Sequence, residues 1–192
     1  MSNTVNEPFL RDYFADYARL AFDEAVWPKI HEFADLATSL RETGNKMMFF
    51  GNGASASLAA HAALDFTKQG KVRSQTCHDA AIMTAFANDF TYDRWMAEAV
   101  KHYADKGDVV VLISVSGTSP SVVEAAKEAK NLGMKVVAFT GREPDNPTAK
   151  LADIDFFVDS HAYNLVECIH GIWVTTAIDY VIGASVYETR MY

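Results

Sequence analysis

The sequence predicts an α/β fold in which a parallel sheet carries helices on both faces. From Lys46 onward, short apolar runs alternate with longer segments that have helical spacing. Two of these runs, "MMFF" and "VVVLI", contain no polar residue, which is typical of strands buried on both faces. Each run leads through a polar, glycine-containing turn into a helical segment, and this order is characteristic of parallel sheets.

The region before the sheet predicts a pair of helices. Between residues 7 and 41, aromatic and aliphatic residues recur at helical spacing. Pro28 is expected to divide this region, because proline interrupts the hydrogen bonding of a helix interior. No linker or repeat interrupts the chain. Residues 1–192 are therefore predicted as one domain, with the helical pair at 1–44 and the sheet and C-terminal helix at 45–192.

The elements of the sheet region follow one another in a regular order. Ser119, Pro120 and Gly133 give the clearest helix signals, as N-cap, first helical residue and C-terminal stop. The segment "SQTC" is the weakest strand candidate. The full prediction is strands at 46–50, 74–77, 108–113, 135–141 and 153–159, with helices at about 55–67, 79–87, 92–104, 120–132 and 164–187.

Composition and charge disfavour several classes of protein. The formal net charge of −8 argues against non-specific nucleic-acid binding. The two cysteines, Cys77 and Cys168, form no CxxC motif, so neither a disulfide framework nor a Cys-rich zinc site is expected. The N-terminus lacks a signal-peptide pattern, and no apolar run reaches the roughly 18 residues of a membrane-spanning helix. We therefore expect a soluble, cytoplasmic protein that binds neither nucleic acid nor membrane.

Two loops stand at the ends of predicted strands, where parallel sheets bind ligands. One is the segment Ser114–Ser119, "SVSGTS", which we call the serine loop. It offers hydroxyl donors and leads into a helix N-terminus, whose free N–H groups and positive dipole end favour an anion. It contains no lysine or arginine, so it is not a Walker A motif. The loop predicts a phosphate site, the alternative being a capped helix after a polar turn.

The other loop is Gly51–Ser55, "GNGAS", which we call the first turn. A G-x-G after a strand suggests a dinucleotide-binding turn, but Ser55 and Ala56 stand where the third glycine is expected. No acidic residue is clearly placed to bind a ribose, so a nucleotide-dependent oxidoreductase is disfavoured. The first turn is a weak signal alone, and the two loops together are more informative than either.

Carboxylate and histidine side chains supply further candidates. His61 and Asp65 lie at positions i and i+4 of a predicted helix and therefore share one face. Both types of side chain suit zinc, but two ligands do not complete a site, and the spacing alone favours an ordinary surface pair. Asp89 in "ANDF" and Glu167 in the C-terminal helix are, by themselves, typical of a turn and of a helix surface.

Taken together, these segments resemble the sugar isomerase (SIS) domain family. The resemblance covers nearly the whole chain and is carried by "FFGNGASASLAAH", "ANDF", "GDVVVLISVSGTSPSVVEAAKEAKNLGMKVVAFTG" and "ADIDFFV". Within the family it is strongest to the phosphoheptose isomerase branch. It implies a three-layer αβα sandwich with a flavodoxin-like sheet, and a homotetramer with sites between subunits. It also implies conversion of sedoheptulose 7-phosphate to glycero-manno-heptose 7-phosphate, for bacterial lipopolysaccharide heptose, often with bound zinc.

The resemblance also implies roles for individual residues. Those that would hold the phosphate bear hydroxyl groups: Ser114, Ser116, Thr118 and Ser119. From the first turn, Asn52, Gly53 and Ser55 would hold the sugar or assist the phosphate, and Asp89 of the "ANDF" segment would lie near the carbonyl end of the substrate. His61 would be a metal ligand. Asp65 stands at a family glutamate and would act as metal ligand and catalytic base.

The catalytic half departs from the family pattern. Asp65 is one methylene shorter than the family glutamate. Thr175 stands at a family acid–base histidine, and threonine does not exchange a proton near neutral pH as imidazole does. Glu167 is the expected compensation, as acid or base and as the third ligand of a Zn²⁺ site with His61 and Asp65.

The sequence therefore leaves two functions open. The first is an aldose–ketose isomerase that moves a proton between C1 and C2 of a phosphorylated sugar through an enediol. The second is a binding or regulatory SIS protein that keeps the phosphate site and has lost catalytic residues. The phosphate half of the site matches the family in both cases, so only the catalytic half separates them.

Overall fold

The computed structural model describes residues 6–187, which form a five-stranded sheet between two layers of helices. Its strands are β1 Met47–Gly51, β2 Ser74–Thr76, β3 Val109–Ile113, β4 Lys135–Gly141 and β5 Ile154–Val158. Its α-helices are α1 Glu7–Ala21, α2 Trp27–Thr43, α3 Ala54–Lys68, α4 Ala80–Phe90, α5 Trp95–Tyr103, α6 Pro120–Asn131, α7 Pro147–Leu151 and α8 Tyr163–Ile182. The predicted order of elements is confirmed from β1 to α8, except that the short helix α7 was not predicted.

All neighbouring strands of the sheet are parallel, in the order β2-β1-β3-β4-β5. The chain passes to one side of β1 to form β2 and to the other side to form β3. The connections after β1 and β3 therefore leave in opposite directions, which opens a crevice at the carboxyl ends of these two strands. This is the flavodoxin-like strand order, so the predicted fold class is confirmed.

The two faces of the sheet carry separate hydrophobic cores. Met47 and Phe49 of β1 point into the first core, which is formed with helices α2, α3 and α8. Met48 and Phe50 point into the second core, formed with helices α4, α5 and α6. Because both faces of β1 are covered, its sequence shows no alternation of polar and apolar residues. The αβα layering follows directly from this burial on both sides.

The N-terminal helical pair divides at a different residue from the one predicted. Pro28 lies in the first turn of α2, where its missing N–H has no intrahelical partner to lose. The chain turns instead at Asp23, whose Oδ1 accepts the N–H of Ala25 at 2.9 Å and caps a short 3₁₀ helix, Glu24–Val26. Helix α4 is also longer than predicted and includes Asp89 in its last turn.

Helix α8 ends at Ile182, before the predicted residue 187, because Gly183 adopts a left-handed φ of 84°. By length and composition alone, α8 is long and apolar enough to cross a membrane, although polar residues such as Glu167 and His170 interrupt it, so it is not the continuous apolar run that the sequence was searched for. Its residues Ile169 and Trp173 are nevertheless buried in the first core. Such burial is typical of the core helix of a globular fold.

The amino ends of β1 and β3 are joined by a buried ion pair. Nζ of Lys46 lies 2.5 Å from Oδ2 of Asp108 and 2.7 Å from Oδ2 of Asp105. Asp108 also accepts the backbone N–H groups of Lys46 and Asp105, at 2.9 and 2.8 Å. Burial alone would raise the pKa of the Asp108 carboxyl, but these hydrogen bonds and the ammonium group bring it below its ordinary value.

Candidate functional site

The crevice between β1 and β3 brings the two predicted loops together. Gly51 and Ile113 are register partners on neighbouring strands, so the first turn and the serine loop leave the sheet side by side. The first turn leads into α3 and the serine loop into α6. The two loops are far apart in the sequence, and the sheet topology places them side by side.

The serine loop is folded by hydrogen bonds to its own backbone. Oγ of Ser114 accepts the N–H of Gly117 at 3.2 Å. Oγ of Ser116 accepts the N–H of Thr118 at 3.2 Å and the Thr118 hydroxyl at 3.0 Å. A hydroxyl that accepts in this way still has its own hydrogen to donate. Ser114 and Ser116 are therefore oriented donors of the kind that a phosphate oxygen accepts.

Gly117 fixes the path of the serine loop. It has a φ of 61°, and a Cβ at this position would lie 1.9 Å from Oδ1 of Asn146. Its carbonyl accepts the Thr148 hydroxyl at 2.7 Å and the Thr148 N–H at 3.1 Å. Asn146 and Thr148 are buried, and sequence reasoning missed them because "NPT" signals only a helix start. Their contacts tie the serine loop to the start of α7.

Helix α6 begins directly after the serine loop. Ser119 is its N-cap residue but makes no side-chain capping hydrogen bond, and Pro120 follows. Pro120 has no N–H, and the N–H groups of Val122 and Val123 both donate to the carbonyl of Ser119 at 3.0 Å, so the N–H of Ser121 and the positive end of the helix dipole remain for a ligand. Together with the loop hydroxyls, they form a set of donors suited to a phosphate group.

The first turn brings the backbone of β1 close to α3. A Cβ on Gly51 would lie 2.7 Å from the carbonyl carbon of Ser55, so only glycine fits there. Gly53 has a φ of 56°, which favours glycine for conformational reasons. Ser55 is buried in the first turn of α3. The two glycines therefore shape the turn, and Ser55 lies beneath it.

Asn52 links the first turn to the elements on either side of it. Its Nδ2 donates to Oγ of Ser121 in α6 at 3.1 Å, and its Oδ1 accepts the Tyr92 hydroxyl at 3.0 Å. Tyr92 lies in the connection between α4 and α5, directly after Thr91, which has a φ of 93°. Neither Ser121 nor Tyr92 was predicted, because their partner is distant in sequence.

His78 supports the first turn from the side of β2. Its Nε2 lies 2.9 Å from the carbonyl oxygen of Gly51, and its ring packs edge-on against Phe50 and Trp95. Burial lowers the pKa of His78 below its ordinary value, so the ring is neutral at pH 7. Nε2 also lies 3.4 Å from the backbone nitrogen of Gly51, so either tautomer of the neutral ring holds the Gly51 backbone, as donor to its carbonyl or as acceptor of its N–H.

His61 and Asp65 form a pair on the surface of α3. Nε2 of His61 lies 3.0 Å from Oδ2 of Asp65, and the two side chains are 55% and 21% exposed. Among residues 6–187, no group of three His, Cys, Asp or Glu side chains is placed to hold a metal ion. Glu167, half-buried in α8, therefore does not complete a site with this pair within one chain. A catalytic zinc takes three protein ligands, so one chain alone does not fit it, and the zinc site stays a prediction.

Asp65 also lies far from the two loops of its own chain. Helix α3 starts at the carboxyl edge of the sheet and runs back toward the amino edge, where Met47 donates its N–H to the carbonyl of Arg73. With a rise of 1.5 Å per residue, Asp65 lies about 16 Å along the helix from Ala54. Asp65 is therefore separated from the first turn by most of the length of α3, whereas a catalytic base must approach within roughly 2.6–3.2 Å of the proton that it removes.

Two other positions have local hydrogen bonds only. The Thr175 hydroxyl donates to the carbonyl of Gly171 at 2.8 Å, within its own helix. Asp89 is exposed and accepts from the amide of Asn88 at 2.9 Å. In the part of the chain that the structure describes, Asp89 forms no hydrogen bond with either loop. Its predicted role at the sugar stays a prediction.

Comparison with known proteins identifies the family of this chain. Residues 12–141 match the family described as the SIS domain. The chain belongs to the SIS domain family. This SIS chain is 34% identical over 173 residues to a phosphoheptose isomerase of Thermodesulfovibrio yellowstonii, which covers 81% of the chain and 85% of that protein. It is 38% identical over 150 residues to a probable phosphoheptose isomerase of Thermoplasma acidophilum, with 74% and 81% covered.

Solved structures agree with the sequence relatives of this SIS chain. The phosphoheptose isomerase GmhA of Neisseria gonorrhoeae superposes with a TM-score of 0.83 at 27% identity, covering 94% of this chain and 100% of that one. A phosphoheptose isomerase of Francisella tularensis gives a TM-score of 0.83 at 25% identity, covering 93% and 98%. The resemblance stated from the sequence is confirmed, and so is the fold that it implied.

Proposed function

We propose that this SIS chain is a sugar-phosphate isomerase of the phosphoheptose isomerase type, acting between sedoheptulose 7-phosphate and glycero-manno-heptose 7-phosphate. The observation that carries the proposal is the meeting of the serine loop and the first turn at the β1–β3 crevice. The relatives named phosphoheptose isomerase support the reaction class and a phosphorylated sugar as substrate. Such a reaction supplies the heptose of bacterial lipopolysaccharide.

The phosphate group binds at the serine loop. Ser114 and Ser116 donate their hydroxyl hydrogens, which the loop's own hydrogen bonds leave free. The Ser119 hydroxyl, the N–H of Ser121 and the positive end of the α6 dipole complete a neutral set of donors, so the site needs no lysine. Thr118 joins this set only when its hydroxyl turns from Ser116, to which it donates in the free chain. The sugar chain then extends across the first turn toward Asn52 and Gly53.

The chemistry requires a carboxylate at the other end of the sugar. A base removes a proton from C1 of the ketose while an acid protonates the C2 carbonyl oxygen, which gives an enediol; the base then returns its proton to C2, and the conjugate base of the acid takes the proton of the C1 hydroxyl, which becomes the aldehyde. We assign the base role to Asp65 and the acid role to Glu167. Thr175 takes no part, because its hydroxyl is bonded within its helix and does not ionise near neutral pH.

A second copy of the chain brings Asp65 to the sugar, because Asp65 lies at the far end of α3 from its own loops. Exposed apolar side chains on the N-terminal helices support such an assembly, since large exposed apolar patches mark interfaces. They are Phe9, Phe14, Phe22 and Trp27, each more than half exposed. We therefore propose a homotetramer with sites between subunits, in which a partner also supplies what the predicted zinc site lacks.

We also propose a cytoplasmic location. Both cysteines are free thiols, as expected in a reducing compartment. Cys77 is buried, and burial raises the pKa of its thiol to about 11, so it remains an unreactive thiol. Fractionation of cells that express the tagged protein is the direct check.

The activity is tested with purified protein and sedoheptulose 7-phosphate, with and without added zinc. We expect formation of the aldose, and we expect Asp65→Asn to reduce turnover by at least a hundredfold while the protein remains folded. The matched control is Asp35→Asn, which changes an exposed carboxylate beside a histidine on α2. Absence of turnover under both conditions by a folded wild-type protein contradicts the isomerase proposal.

The shared site is tested by mixing two impaired variants at a substrate concentration below the KM of both. Asp65→Ala removes the base and Ser116→Ala weakens the phosphate loop, so each homo-oligomer is expected to be impaired. Oligomers assembled from both variants contain some sites with an intact loop from one subunit and an intact Asp65 from another. We expect activity to recover on mixing, and an absence of recovery in mixed oligomers contradicts a site shared between subunits.

A second candidate function is a non-catalytic SIS protein that binds a sugar phosphate. Thr175 favours it, because the position expected to carry an acid–base histidine holds a hydroxyl tied to the carbonyl of Gly171. Asp65→Ala and Glu167→Ala separate the two candidates. Loss of the cellular phenotype in either variant supports the isomerase, whereas its survival in both supports the binding protein.

A further inference from the structure

We propose that Tyr92 is a positioning residue for the sugar-phosphate site and that it acts through Asn52. The proposal deepens the proposed function and rests on it for the identity of the substrate. Its geometry rests on contacts within one chain. These contacts join the first turn, the connection between α4 and α5, and the start of α6.

The contacts form a continuous path from Tyr92 to α6. The Tyr92 hydroxyl lies 3.0 Å from Oδ1 of Asn52, and Nδ2 of Asn52 lies 3.1 Å from Oγ of Ser121. Ser121 is 2% exposed in the first turn of α6, so it is a fixed end of the path. The Asn52 amide is therefore held from both sides.

Holding the amide in this way leaves it able to bind a ligand. A carbonyl oxygen has two lone pairs and an NH₂ group has two hydrogens. Tyr92 and Ser121 occupy one of each, so Asn52 keeps one acceptor and one donor, in a fixed plane, for hydroxyl groups of the sugar. Without Tyr92, the amide is fixed by one contact and rotates more freely about its side-chain bonds.

The backbone before Tyr92 is held in an unusual conformation. Thr91 has a φ of 93°, a region that β-branched residues rarely adopt. Its N–H donates to the carbonyl of Ala87 at 3.0 Å, and its own carbonyl accepts from Arg94 at 3.1 Å, so both neighbouring helices fix it. Strained residues of this kind persist only where the surrounding structure holds them, and they cluster at functional sites. Tyr92 directly follows this residue, and its hydroxyl reaches Asn52 of the first turn.

Tyr92 contributes little to the folded core. Its side chain is 54% exposed, and water replaces the partner of an exposed hydroxyl at small cost. His78, in contrast, holds the backbone of Gly51 and leaves the Asn52 side chain unconstrained. The hydroxyl of Tyr92 therefore serves the orientation of Asn52, and its removal is expected to affect binding more than folding.

The test is a double-mutant cycle on affinity and turnover. Tyr92→Phe removes only the hydroxyl, and Asn52→Ala removes its partner. We expect Tyr92→Phe to raise both Kd and KM for sedoheptulose 7-phosphate about fivefold, with kcat and the urea midpoint unchanged, because one neutral hydrogen bond is lost. In the Asn52→Ala background, the same substitution is expected to change neither constant.

The control is Tyr103→Phe, which removes a hydroxyl that forms no hydrogen bond with any residue in the range 6–187. It is expected to leave Kd, KM and kcat unchanged. An unchanged Kd in Tyr92→Phe overturns the proposal, and so does an equal increase in the wild-type and Asn52→Ala backgrounds. If the wild-type protein binds the sugar phosphate without turnover, the isomerase proposal fails alone and the Kd cycle still decides the role of Tyr92. If it does not bind, both fail.

Discussion

The two edges of the parallel sheet use polar groups in opposite ways. At the amino edge, Lys46 and Asp108 are buried and bonded to each other, to Asp105 and to backbone N–H groups. At the carboxyl edge, the serine loop and the first turn carry hydroxyl, amide and N–H groups whose bonding is only partly satisfied among residues 6–187. The two sets of polar groups stand at opposite ends of the same two strands, β1 and β3.

The difference shows how one pair of strands serves both stability and recognition. A buried charge must be paired, because an unpaired one costs several kcal/mol. A ligand site must instead keep hydrogen-bond donors available. A neutral donor without a partner costs less free energy than an unpaired charge. We therefore expect substitutions at the amino edge to change stability and those at the carboxyl edge to change binding.

The largest expected effect is at the amino edge. Asp108→Ala leaves the Lys46 ammonium buried beside an exposed Asp105, and the free energy of unfolding is expected to fall by about 3–5 kcal/mol. Urea denaturation measures it. The matched control is Asp145→Ala, which breaks the exposed pair with Lys150 and is expected to cost less than about 1 kcal/mol. Equal losses in the two variants contradict the contrast between buried and exposed pairs.

The next effect is the dependence of stability on pH. It compares His170, which contacts Thr140 near the carboxyl end of β4, with Asp108. His170 is buried and its Nε2 lies 2.9 Å from the carbonyl of Thr140. Burial lowers its pKa from 6.5 to about 4, so the unfolded chain binds the proton first as the pH falls. The stability that it contributes is present above pH 6.5 and is lost between 6.5 and 4, by about 3 kcal/mol.

Unfolding free energies at pH 7 and pH 4, for the wild type and His170→Gln, check this expectation. Glutamine keeps a donor for Thr140 but does not titrate, so the variant is expected to lose less stability over that interval. The depressed pKa of Asp108 acts in a lower window, because its contribution is lost only as the pH falls below its ordinary value of 3.8. Identical pH dependence in the two proteins contradicts the assignment to His170.

The smallest effect on stability, with a clear effect on binding, is expected in the serine loop. Ser116→Ala removes a donor to an anionic ligand, so affinity for sedoheptulose 7-phosphate is expected to fall about tenfold. The free energy of unfolding is expected to change by less than about 0.5 kcal/mol, because Ser116 lies outside the two cores. Calorimetric titration and urea denaturation measure the two quantities. Ser39→Ala on α2 is the control, and a loss of stability without a loss of affinity reverses the expected pattern.

Much of the fold was predictable from local patterns. The continuous apolar runs of β1 and β3 identified strands buried on both faces, and Ser119, Pro120 and Gly133 marked the limits of α6 closely. The predicted helix boundaries were wrong where one local pattern fits two structures. Pro28 was taken as a break but lies in the first turn of α2, and "ANDF" was taken as a turn but ends α4.

The sequence by itself determined the fold class, the SIS family and the two loops, because buried strands, glycine turns and hydroxyl-rich helix starts are local patterns. Only the tertiary structure decided which distant residues support those loops. Tyr92, His78 and Thr148 meet them because strand order brings β1, β2 and β3 together, and no sequence spacing records that contact. The tertiary structure also separated Asp65 from its own loops, since a helix of fixed rise runs back along the sheet.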